Sequence, residues 1–459
     1  MKPGLMESLC SVNKAQEGYL VHRFCEMVAL ICADPLITDN AIRQAVCDKH
    51  FPALADMVRN PVKYGATVDF DAADTEDGQQ RSLLKIAEGH GASSPLAKGI
   101  RKLVLFHGCF SIIRGPSAHM SATCVVVFGD HYAVLAGSGR RLSSSAHFSM
   151  LAATASRPIV TPVAMKFMKE KSQFERELTM REQFKLEPEF VIQPHGCEGK
   201  VLKYDSLNDP EYRAELTRYK FPQALQMGAS YPFLVVFPRA TLGLQDLITH
   251  DLITGQPSRI SDIRVIMRQI GEALLHLHEK GIIHGDLKPL NVMKTIEDLV
   301  ERWKLIDFDA AAGIDEPAGE KYSTGYAPPE LMITDTATSE IRVRDASDPR
   351  EQLIAHPSFD LWSYGVLLYK FVTGEPLFTM NDEDNLVEDE MERLANWDSH
   401  KLNKALGHRH CTPQAKDLLE KLLHRDPQGR PASMTEVLQH AFFTDNVEQV
   451  KRLLETQVG

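Results

Sequence analysis

The sequence has no pair of cysteines in Cys-x-x-Cys spacing, although it contains eight cysteines. That absence excludes a zinc ribbon, and the scattered positions do not outline a small disulfide-stabilised domain. We therefore expect reduced, mostly buried thiols of an intracellular protein. The cysteines are Cys10, Cys25, Cys32, Cys47, Cys109, Cys124, Cys197 and Cys411.

Long apolar runs are also missing. No run approaches the roughly 20 residues that a helix needs to cross a bilayer. The first residues lack a basic segment followed by an uninterrupted apolar core, so no secretory signal is predicted. We expect a cytoplasmic protein, with the nucleus as the alternative, and no membrane partner.

The chain has fewer basic than acidic residues. The chain has 51 Lys and Arg against 62 Asp and Glu, a net charge of -11. Nucleic acid rewards clustered Lys and Arg, so no nucleic-acid partner is expected. The composition, 43% hydrophobic and 25% charged, is ordinary for a globular protein. A length of 459 residues predicts two or three domains.

Residues 1–105 favour helices. Arg81–Ala87 resembles the opening of an ankyrin repeat, with Ser93-Ser94-Pro95 starting its second helix. A plain helical cap fits equally well. A solenoid needs about three repeats to be stable alone, so we expect this region to dock on the next domain and to offer a surface to a protein partner.

From residue 106 the pattern changes to short β-rich runs and then, after Asp246, to helices. This α+β order predicts a domain over 106–446, followed by a helical tail over 447–459. The stretch Gly137–Arg157 is predicted to be a flexible insertion. Predicted strands cover Phe110–Arg114, Cys124–Gly129, Val163–Met168, Phe190–Gln193 and Pro232–Phe237. Predicted helices cover Lys171–Phe184, Ile260–Glu279, Asp360–Thr373, Pro413–His424 and Ser433–Gln439.

Residues 284–291 read His-Gly-Asp-Leu-Lys-Pro-Leu-Asn, and Asp307 follows a second apolar run. Placing Asp, Lys and Asn together on one tight loop between apolar runs costs stability unless these side chains serve a function. The segment resembles the catalytic loop and metal-binding strand of protein kinases. The resemblance implies a two-lobed protein kinase fold, with a β-rich N lobe and a helical C lobe, that uses ATP and magnesium.

Roles follow from the resemblance residue by residue. Asp286 would accept the proton of the substrate hydroxyl, and Lys288, typical of Ser/Thr kinases, would neutralise charge on the γ-phosphate. Asn291 and Asp307 would ligate magnesium, since hard oxygen donors suit a hard cation. Met293 would lie under the adenine.

Val163-Ala164-Met165-Lys166 resembles the strand in which Lys grips the ATP phosphates and Ala faces the adenine. A buried Lys166 needs an acidic partner. Glu177 is preferred, because it sits where the kinase helix presents its Glu, and Glu175 and Glu182 stay alternatives.

Two distant motifs support the assignment. Ala327-Pro328-Pro329-Glu330 resembles the end of the kinase activation segment, with Arg430 as the ion-pair partner of Glu330. Asp360 resembles the residue that braces the catalytic loop backbone. The resemblance extends from Phe106 to near Asn446.

Three positions depart from the family. The phosphate loop keeps one glycine, Gly115, where three are usual, so weaker nucleotide binding is expected. Asp309 replaces the glycine of Asp-Phe-Gly, a position that favours φ > 0. Gly285 replaces the Arg that reads an activation-loop phosphate, so switching is not expected to rely on that contact.

Smaller features leave alternatives open. Ser323 and Thr324 are candidate phosphosites, although Ser323 is expected to hydrogen-bond near Asp286. The insertion between Glu330 and Asp360 either shapes substrate access or is a disordered loop, and the loop is favoured. His408-Arg409-His410-Cys411 favours a surface loop over a metal site.

Two functions remain. The first is an active ATP- and magnesium-dependent kinase for Ser/Thr hydroxyls of protein substrates in signalling. It is favoured because none of the six implied catalytic side chains is missing. The second is a pseudokinase-like scaffold that binds nucleotide weakly and acts through protein partners.

Overall fold

The structure is a computed structural model. It describes residues 73–74, 79–80, 109–112, 119–120, 124–133, 159–197, 199–218, 230–254, 260–297, 299–318, 323–335, 340–345, 348–381, 383–407 and 411–444. The ankyrin-like region, the insertion Gly137–Arg157, Gly115, most of the His408–Cys411 segment and the C-terminal tail lie outside the described residues, apart from two short backbone stretches.

The described strands and helices follow one another as a mixed α/β chain. The strands are β1 Ala73–Asp74, β2 Gln79–Gln80, β3 Phe110–Ile112, β4 His119–Met120, β5 Cys124–Ala133, β6 Ile159–Met168, β7 Gly196–Cys197, β8 Lys200–Val201, β9 Lys203–Asp205, β10 Phe233–Pro238, β11 Leu242–Gly243, β12 Ile282–Ile283, β13 Val292–Glu297, β14 Val300–Leu305, β15 Ala312–Gly313, β16 Met332–Thr334 and β17 Ile341–Val343. The helices are α1 Lys171–Gln183, α2 Pro210–Arg218, α3 Leu244–Thr254, α4 Ile260–Glu279, α5 Ser358–Thr373, α6 Glu388–Ala395, α7 Ser399–Leu406, α8 Pro413–Leu422 and α9 Met434–Leu438.

The chain divides into two compact units. The first comprises Met1–Lys169 and His195–Val236, and the second comprises Glu170–Pro194 and Phe237–Gly459. The first unit is strand-rich. Its sheet has the order β3-β5-β6-β10-β9, with β4 also paired to β5. The β5–β6 pair is antiparallel over ten residues, from Cys124 opposite Met168 to Ala133 opposite Ile159.

Alternation explains which side chains of β6 lie inside. Val163, Met165 and Phe167 are fully buried in the core of this unit. Because successive side chains of a strand point to opposite faces, Ala164 and Lys166 project to the other face of the sheet. Both predicted nucleotide-binding residues of this strand therefore share a face.

The second unit is helical. Its hydrophobic core includes the buried side chains of α4, α5 and α8. Helix α4 buries Ile263, Ile266, Met267, Ile270 and Leu274, which recur at helical spacing along one face. Helix α5 is buried on nearly all sides and ends at Gly374, whose φ of 77° forms a left-handed C-cap.

Most predicted elements are confirmed with small shifts at their ends. Helix α4 has the predicted bounds, α1 and α8 end slightly earlier, and α5 begins two residues earlier. Strands β5 and β6 are longer than predicted. Short helices such as α2 and α6 were not predicted.

The strand predicted over Phe190–Gln193 is wrong. Only one parallel bridge forms there, between Val191 and Leu305. Prolines 188 and 194 bracket this apolar run. Since proline donates no backbone hydrogen bond, they shorten the stretch that can pair with β14.

The disordered loop favoured between Glu330 and Asp360 is also wrong for the described residues. Strands β16 and β17 pair as an antiparallel hairpin. Arg342 on β17 binds the carboxylate of Glu351 through two contacts of 2.7 and 2.6 Å. A bidentate pair of this kind organises the segment that follows the hairpin.

No helix among the described residues has both the length and the apolar character that crossing a membrane requires. The four described cysteines are free thiols, of which Cys124 is buried and the others are partly buried.

Candidate active site

The loop between β12 and β13 holds the predicted catalytic base. Its backbone is fastened by Asp360, a fully buried residue in the first turn of α5. Oδ2 of Asp360 accepts from the N–H of His284 at 2.8 Å, and Oδ1 accepts from the N–H of Gly285 at 2.9 Å. The predicted brace is confirmed.

His278 adds a third contact, because its Nε2 lies 2.9 Å from Oδ2 of Asp360. Burial alone would raise the pKa of Asp360. The hydrogen bond and charge of His278, together with the N–H of His284, outweigh burial and lower that pKa. Asp360 is therefore an ionised acceptor inside the protein.

The carboxylate of Asp286 is held on both oxygens. Oδ1 accepts from the backbone N–H of Ser323 at 3.0 Å, and Oδ2 accepts from Nδ2 of Asn291 at 3.2 Å. Nζ of Lys288 lies 3.4 Å from the same Oδ2. Asn291 also donates to the carbonyl of Asp286 at 2.8 Å. These contacts orient the carboxylate and fix the amide of Asn291.

Lys288 sits among oxygen atoms. It donates to the hydroxyl of Ser323 at 2.6 Å and lies 3.9 Å from Oδ2 of Asp384. The prediction that Ser323 hydrogen-bonds near Asp286 is confirmed, with the backbone N–H rather than the hydroxyl as the donor. The Thr324 hydroxyl is also engaged, since it accepts from the N–H of Leu386 at 2.8 Å.

Asp307 follows β14 in a left-handed conformation, with a φ of 64°. The N–H of Ile306, the residue before Asp307, donates to the carbonyl of Asn291 at 3.0 Å. This hydrogen bond holds the backbone of the two predicted magnesium ligands, Asn291 and Asp307, close together. Carboxylate oxygens of Glu177, Asp307 and Asp309 lie within 4.8 Å of one another. This donor set is made of hard oxygen atoms, which is the chemistry that magnesium prefers.

The reason expected for glycine at position 309 does not apply here. Asp309 is not among the residues with positive φ, whereas Asp307 is. The left-handed residue of this turn is therefore the predicted metal ligand itself.

The surroundings of Gly285 explain why the Arg that is usual at this position in the family is absent. The φ of Gly285 is 77°, and a Cβ at this position would lie 2.5 Å from the carbonyl oxygen of Ala310. Any side chain here would clash with backbone. The loop is built around a glycine.

Of the three acidic candidates on α1, Glu177 alone is buried, at 1% exposure. Glu182 is exposed, and Glu175 is exposed and pairs with Lys171 at 3.1 Å. Glu177 instead contacts Arg181, with 2.7 Å between Oε1 and Nη1. The pairing of Glu177 with Lys166 stays a prediction.

The remaining predicted site residues lie in strands. Lys166 is 7% exposed and stands opposite Val126, and Ala164 stands opposite Phe128, in the first unit. Met293 belongs to the second unit, where it stands opposite Lys304 and Gly243.

The predicted ion pair at the end of the activation segment is confirmed. Arg430 binds Glu330 through two contacts of 2.7 Å each. The Arg430 side chain is 0% exposed and that of Glu330 is 16% exposed. This is a fork-shaped, buried pair of the strong kind.

The sequence analysis did not single out two sets of residues near the candidate site, namely Arg181 and the pair Tyr326 and Lys370. Arg181 lies four residues after Glu177, and this i,i+4 spacing was the available signal. Tyr326 and Lys370 had no signal in the sequence. Burial raises the pKa of Tyr326, Asp384 and Asp286 raise it further, and burial lowers the pKa of Lys370.

A helical unit with this braced loop and its oriented Asp, Lys and Asn has the architecture of a protein kinase domain. In agreement, the family profile described as "Protein kinase domain" matches residues 229–443. Fold, site and profile together identify this segment as a protein kinase domain, accompanied by a strand-rich N-terminal part.

Curated relatives point to the class of kinase. MAP kinase-interacting serine/threonine-protein kinase 1 of Xenopus tropicalis is 32% identical over 192 residues, which cover 39% of this chain and 44% of that protein. Serine/threonine-protein kinase ULK3 of Xenopus laevis is 31% identical over 189 residues, covering 40% of this chain and 34% of that protein. Calcium/calmodulin-dependent protein kinase cmkA of Emericella nidulans is 28% identical over 190 residues, covering 40% and 39%.

The chain thus spans less than half the length of these relatives. The class that the comparisons support is the protein serine/threonine kinase.

Proposed function

We propose that this chain transfers the γ-phosphate of ATP to Ser or Thr hydroxyls of protein substrates. The observation that carries the proposal is the set of contacts on Asp286, whose two oxygens are oriented by Ser323, Asn291 and Lys288. A base held in this way accepts the hydroxyl proton as the oxygen attacks the γ-phosphorus.

Lys288, whose Nζ lies 3.4 Å from Oδ2 of Asp286, is proposed to neutralise charge that builds on the transferred phosphate. Lys166 is proposed to bind the α- and β-phosphates, with Glu177 as its acidic partner. Gly115, Ala164 and Met293 are proposed to surround the rest of the nucleotide.

Asn291 and Asp307 are proposed to hold magnesium. Since Nδ2 of Asn291 donates to Asp286, its Oδ1 is the atom left to ligate a cation. When bound, the ion neutralises charge on the phosphates. The interaction role of residues 1–105 and the cytoplasmic location stay predictions.

The test is Asp286→Asn in the full chain, assayed with magnesium-ATP and a generic protein substrate. We expect the rate to fall at least about a hundredfold, since a positioned general base contributes about 10²–10⁴. Asp262→Asn makes the same chemical change at an exposed site on α4 and should leave the rate unchanged. An Asp286→Asn protein as fast as wild type would refute the proposal.

The scaffold alternative is motivated by two features of the sequence, the phosphate loop with the single glycine Gly115 and the acidic residue Asp309 near the proposed metal ligand. It is separated by measuring the thermal transition with ATP, with and without magnesium, because a ligand that binds the folded state raises apparent stability. No shift at millimolar nucleotide would favour the scaffold.

A further inference from the structure

The segment between α5 and α6 brings an acidic side chain to the candidate site. Asp384 lies in this segment, and its Oδ2 lies 3.9 Å from Nζ of Lys288. Lys288 is the residue proposed to neutralise charge on the transferred phosphate. A second carboxylate therefore approaches Lys288, in addition to that of the proposed base Asp286 at 3.4 Å.

The three charged side chains are open to solvent to the same small extent. Lys288, Asp286 and Asp384 have side-chain exposures of 16%, 17% and 17%. Water screens contacts between partly exposed charges only in part, so the attraction between Lys288 and Asp384 is modest but not abolished. A phosphate group that approaches Lys288 must therefore compete with two carboxylates for its charge.

The turn that carries Asp384 is closed by its own hydrogen bonds. Oδ1 of Asn381 accepts from the N–H of Glu383 at 3.0 Å and from the N–H of Asn385 at 2.9 Å. The N–H of Asn381 donates to the carbonyl of Asn385 at 2.8 Å. Asp384 has a left-handed φ of 60°, a conformation that asparagine or glycine also suits. The fold of the turn therefore does not require a carboxylate at position 384.

The same turn is fastened to the residues that follow Ser323. The N–H of Gly325 donates to the carbonyl of Asp384 at 3.0 Å, and the N–H of Leu386 donates to the hydroxyl of Thr324 at 2.8 Å. A Cβ on Gly325 would lie 2.8 Å from that carbonyl oxygen of Asp384, so glycine permits the close approach. These contacts involve the main chain of Asp384. They explain where the turn lies but not why its side chain is acidic.

A second cation lies within the electrostatic reach of Asp384. Burial lowers the pKa of Lys370, and the charge of Asp384 raises it. Nζ of Lys370 donates to the hydroxyl of Tyr326 at 3.4 Å. Because Lys370 stays near Asp384, the carboxylate is not left without a neighbouring cation when Lys288 turns to a phosphate. The contact between Asp384 and Lys288 is therefore one that a ligand can replace.

We propose that Asp384 is an autoinhibitory residue that competes with the γ-phosphate of ATP for Lys288. The inference rests on the proposed kinase function and adds a restraint to it. Without nucleotide, Asp384 takes up part of the charge of Lys288. Phosphoryl transfer requires Lys288 to turn to the γ-phosphate, so the contact with Asp384 opposes the productive arrangement.

The experiment compares Asp384→Asn with wild type in the full chain, assayed with magnesium-ATP and a generic protein substrate. Asparagine keeps the shape of the side chain and suits the left-handed backbone, so the turn should persist. We expect kcat/KM for ATP to rise about two- to fivefold, which is the size of effect that contacts between partly exposed charges commonly have. A residue that merely stabilised the site would lower the rate when changed. An unchanged or reduced kcat/KM in the folded variant would overturn the inference.

Glu383→Gln is the matched control, because it makes the same chemical change one residue earlier in the turn. Glu383 is exposed, and its N–H takes part in the turn. This variant should keep wild-type kinetics. An equal rise in both variants would show that the net charge of the segment restrains the rate, rather than the contact with Lys288, and would overturn the inference.

Asp384→Gly covers the case in which asparagine disturbs the turn. Glycine adopts a φ of 60° without strain, and it removes the carboxylate together with the rest of the side chain. The inference expects the same rise in kcat/KM for ATP. A folded Asp384→Gly protein that is no faster than wild type would contradict it.

A measurement without turnover separates the inference from the proposed function. ADP lacks the γ-phosphate and so does not compete with Asp384 for Lys288. At equal nucleotide concentration, Asp384→Asn should increase the thermal shift produced by magnesium-ATP and leave that produced by magnesium-ADP unchanged. Equal increases with both nucleotides would overturn the inference. A wild-type chain that binds magnesium-ATP without transferring phosphate overturns only the proposed function.

Discussion

Two neighbouring turns of the candidate site hold left-handed backbone, at Gly285 with a φ of 77° and at Asp307 with a φ of 64°. Glycine adopts this region without strain, whereas for Asp it costs about 1 kcal/mol or more. The strain at Asp307 is maintained by contacts that over-determine the turn. Among them are the bond between Ile306 and Asn291 and the burial of Phe308.

At Gly285 the close approach to backbone makes a strong prediction. Gly285→Ala would place a Cβ 2.5 Å from the carbonyl oxygen of Ala310, so the loop must shift. We expect the free energy of unfolding to fall by about 3 kcal/mol, measured by urea denaturation. Restoring the family's Arg at this position should destabilise at least as much.

Gly374 provides the control, because it has the same φ of 77° but a Cβ added there would meet no atom within 4 Å. Gly374→Ala should cost about 1 kcal/mol, the conformational term alone. Equal losses for the two alanine variants would remove the steric explanation for glycine in the catalytic loop.

Among the elements, helices with clear periodicity were the most predictable. The bounds of α4 follow from apolar residues at helical spacing, which the long buried face confirms. Two predictions are wrong for a common reason: a strand over Phe190–Gln193 and a disordered loop after Glu330. Pairing depends on partners distant in sequence, and neither the single bridge to Leu305 nor the β16–β17 hairpin leaves a local signature.

The ion pair between Glu330 and Arg430 joins the short 3₁₀ turn Pro329–Leu331 to a residue 100 positions later. Glu330→Gln keeps the shape but removes the charge. We expect the free energy of unfolding to fall by about 3 kcal/mol, since breaking a buried pair strands the other charge. Calorimetry or urea denaturation would measure it.

The pair of Asp348 and Arg350, whose Arg is exposed and whose Asp is partly exposed, is the control. Their contact is 2.6 Å, but the Arg350 side chain is 87% exposed. Asp348→Asn should leave stability unchanged within error, because solvent screens such pairs. A similar loss in both variants would show that burial does not govern the Glu330 pair.

At the scale of the whole molecule, three lowered pKa values make stability depend on pH. In the described part of the chain, burial lowers the pKa of His131 to about 4 and also lowers that of His195. Hydrogen bonds from Arg342 lower the pKa of Glu351 to about 2. In each case the folded state binds fewer protons than the unfolded state, so stability is lost as pH falls.

The loss of stability that arises from the histidines should appear as the pH falls from about 6.5 to about 4. Nδ1 of His131 and Nε2 of His195 are 3.1 Å apart, and one ring donates to the other. Protonating both rings replaces a hydrogen bond by repulsion. His131→Gln removes the titrating ring but keeps a hydrogen-bonding group, so the melting temperature should depend less steeply on pH in this range.

One histidine contributes at most about 1.4 kcal/mol per pH unit. His400→Gln, at an exposed position on α7, should leave the pH dependence unchanged. If His131→Gln melts with the wild-type pH dependence, the acid sensitivity arises elsewhere.

The sequence by itself determined the chemistry of the candidate site. The order of Asp286, Lys288, Asn291 and Asp307 and the partners expected for Asp360 and Glu330 could be read in advance, because these roles depend on residue type and spacing. Only the tertiary structure decided that Arg181 meets Phe308, that Asp384 approaches Lys288, and that Gly285 has no room for a side chain. Those outcomes depend on distances between segments far apart in the chain, which no local pattern encodes.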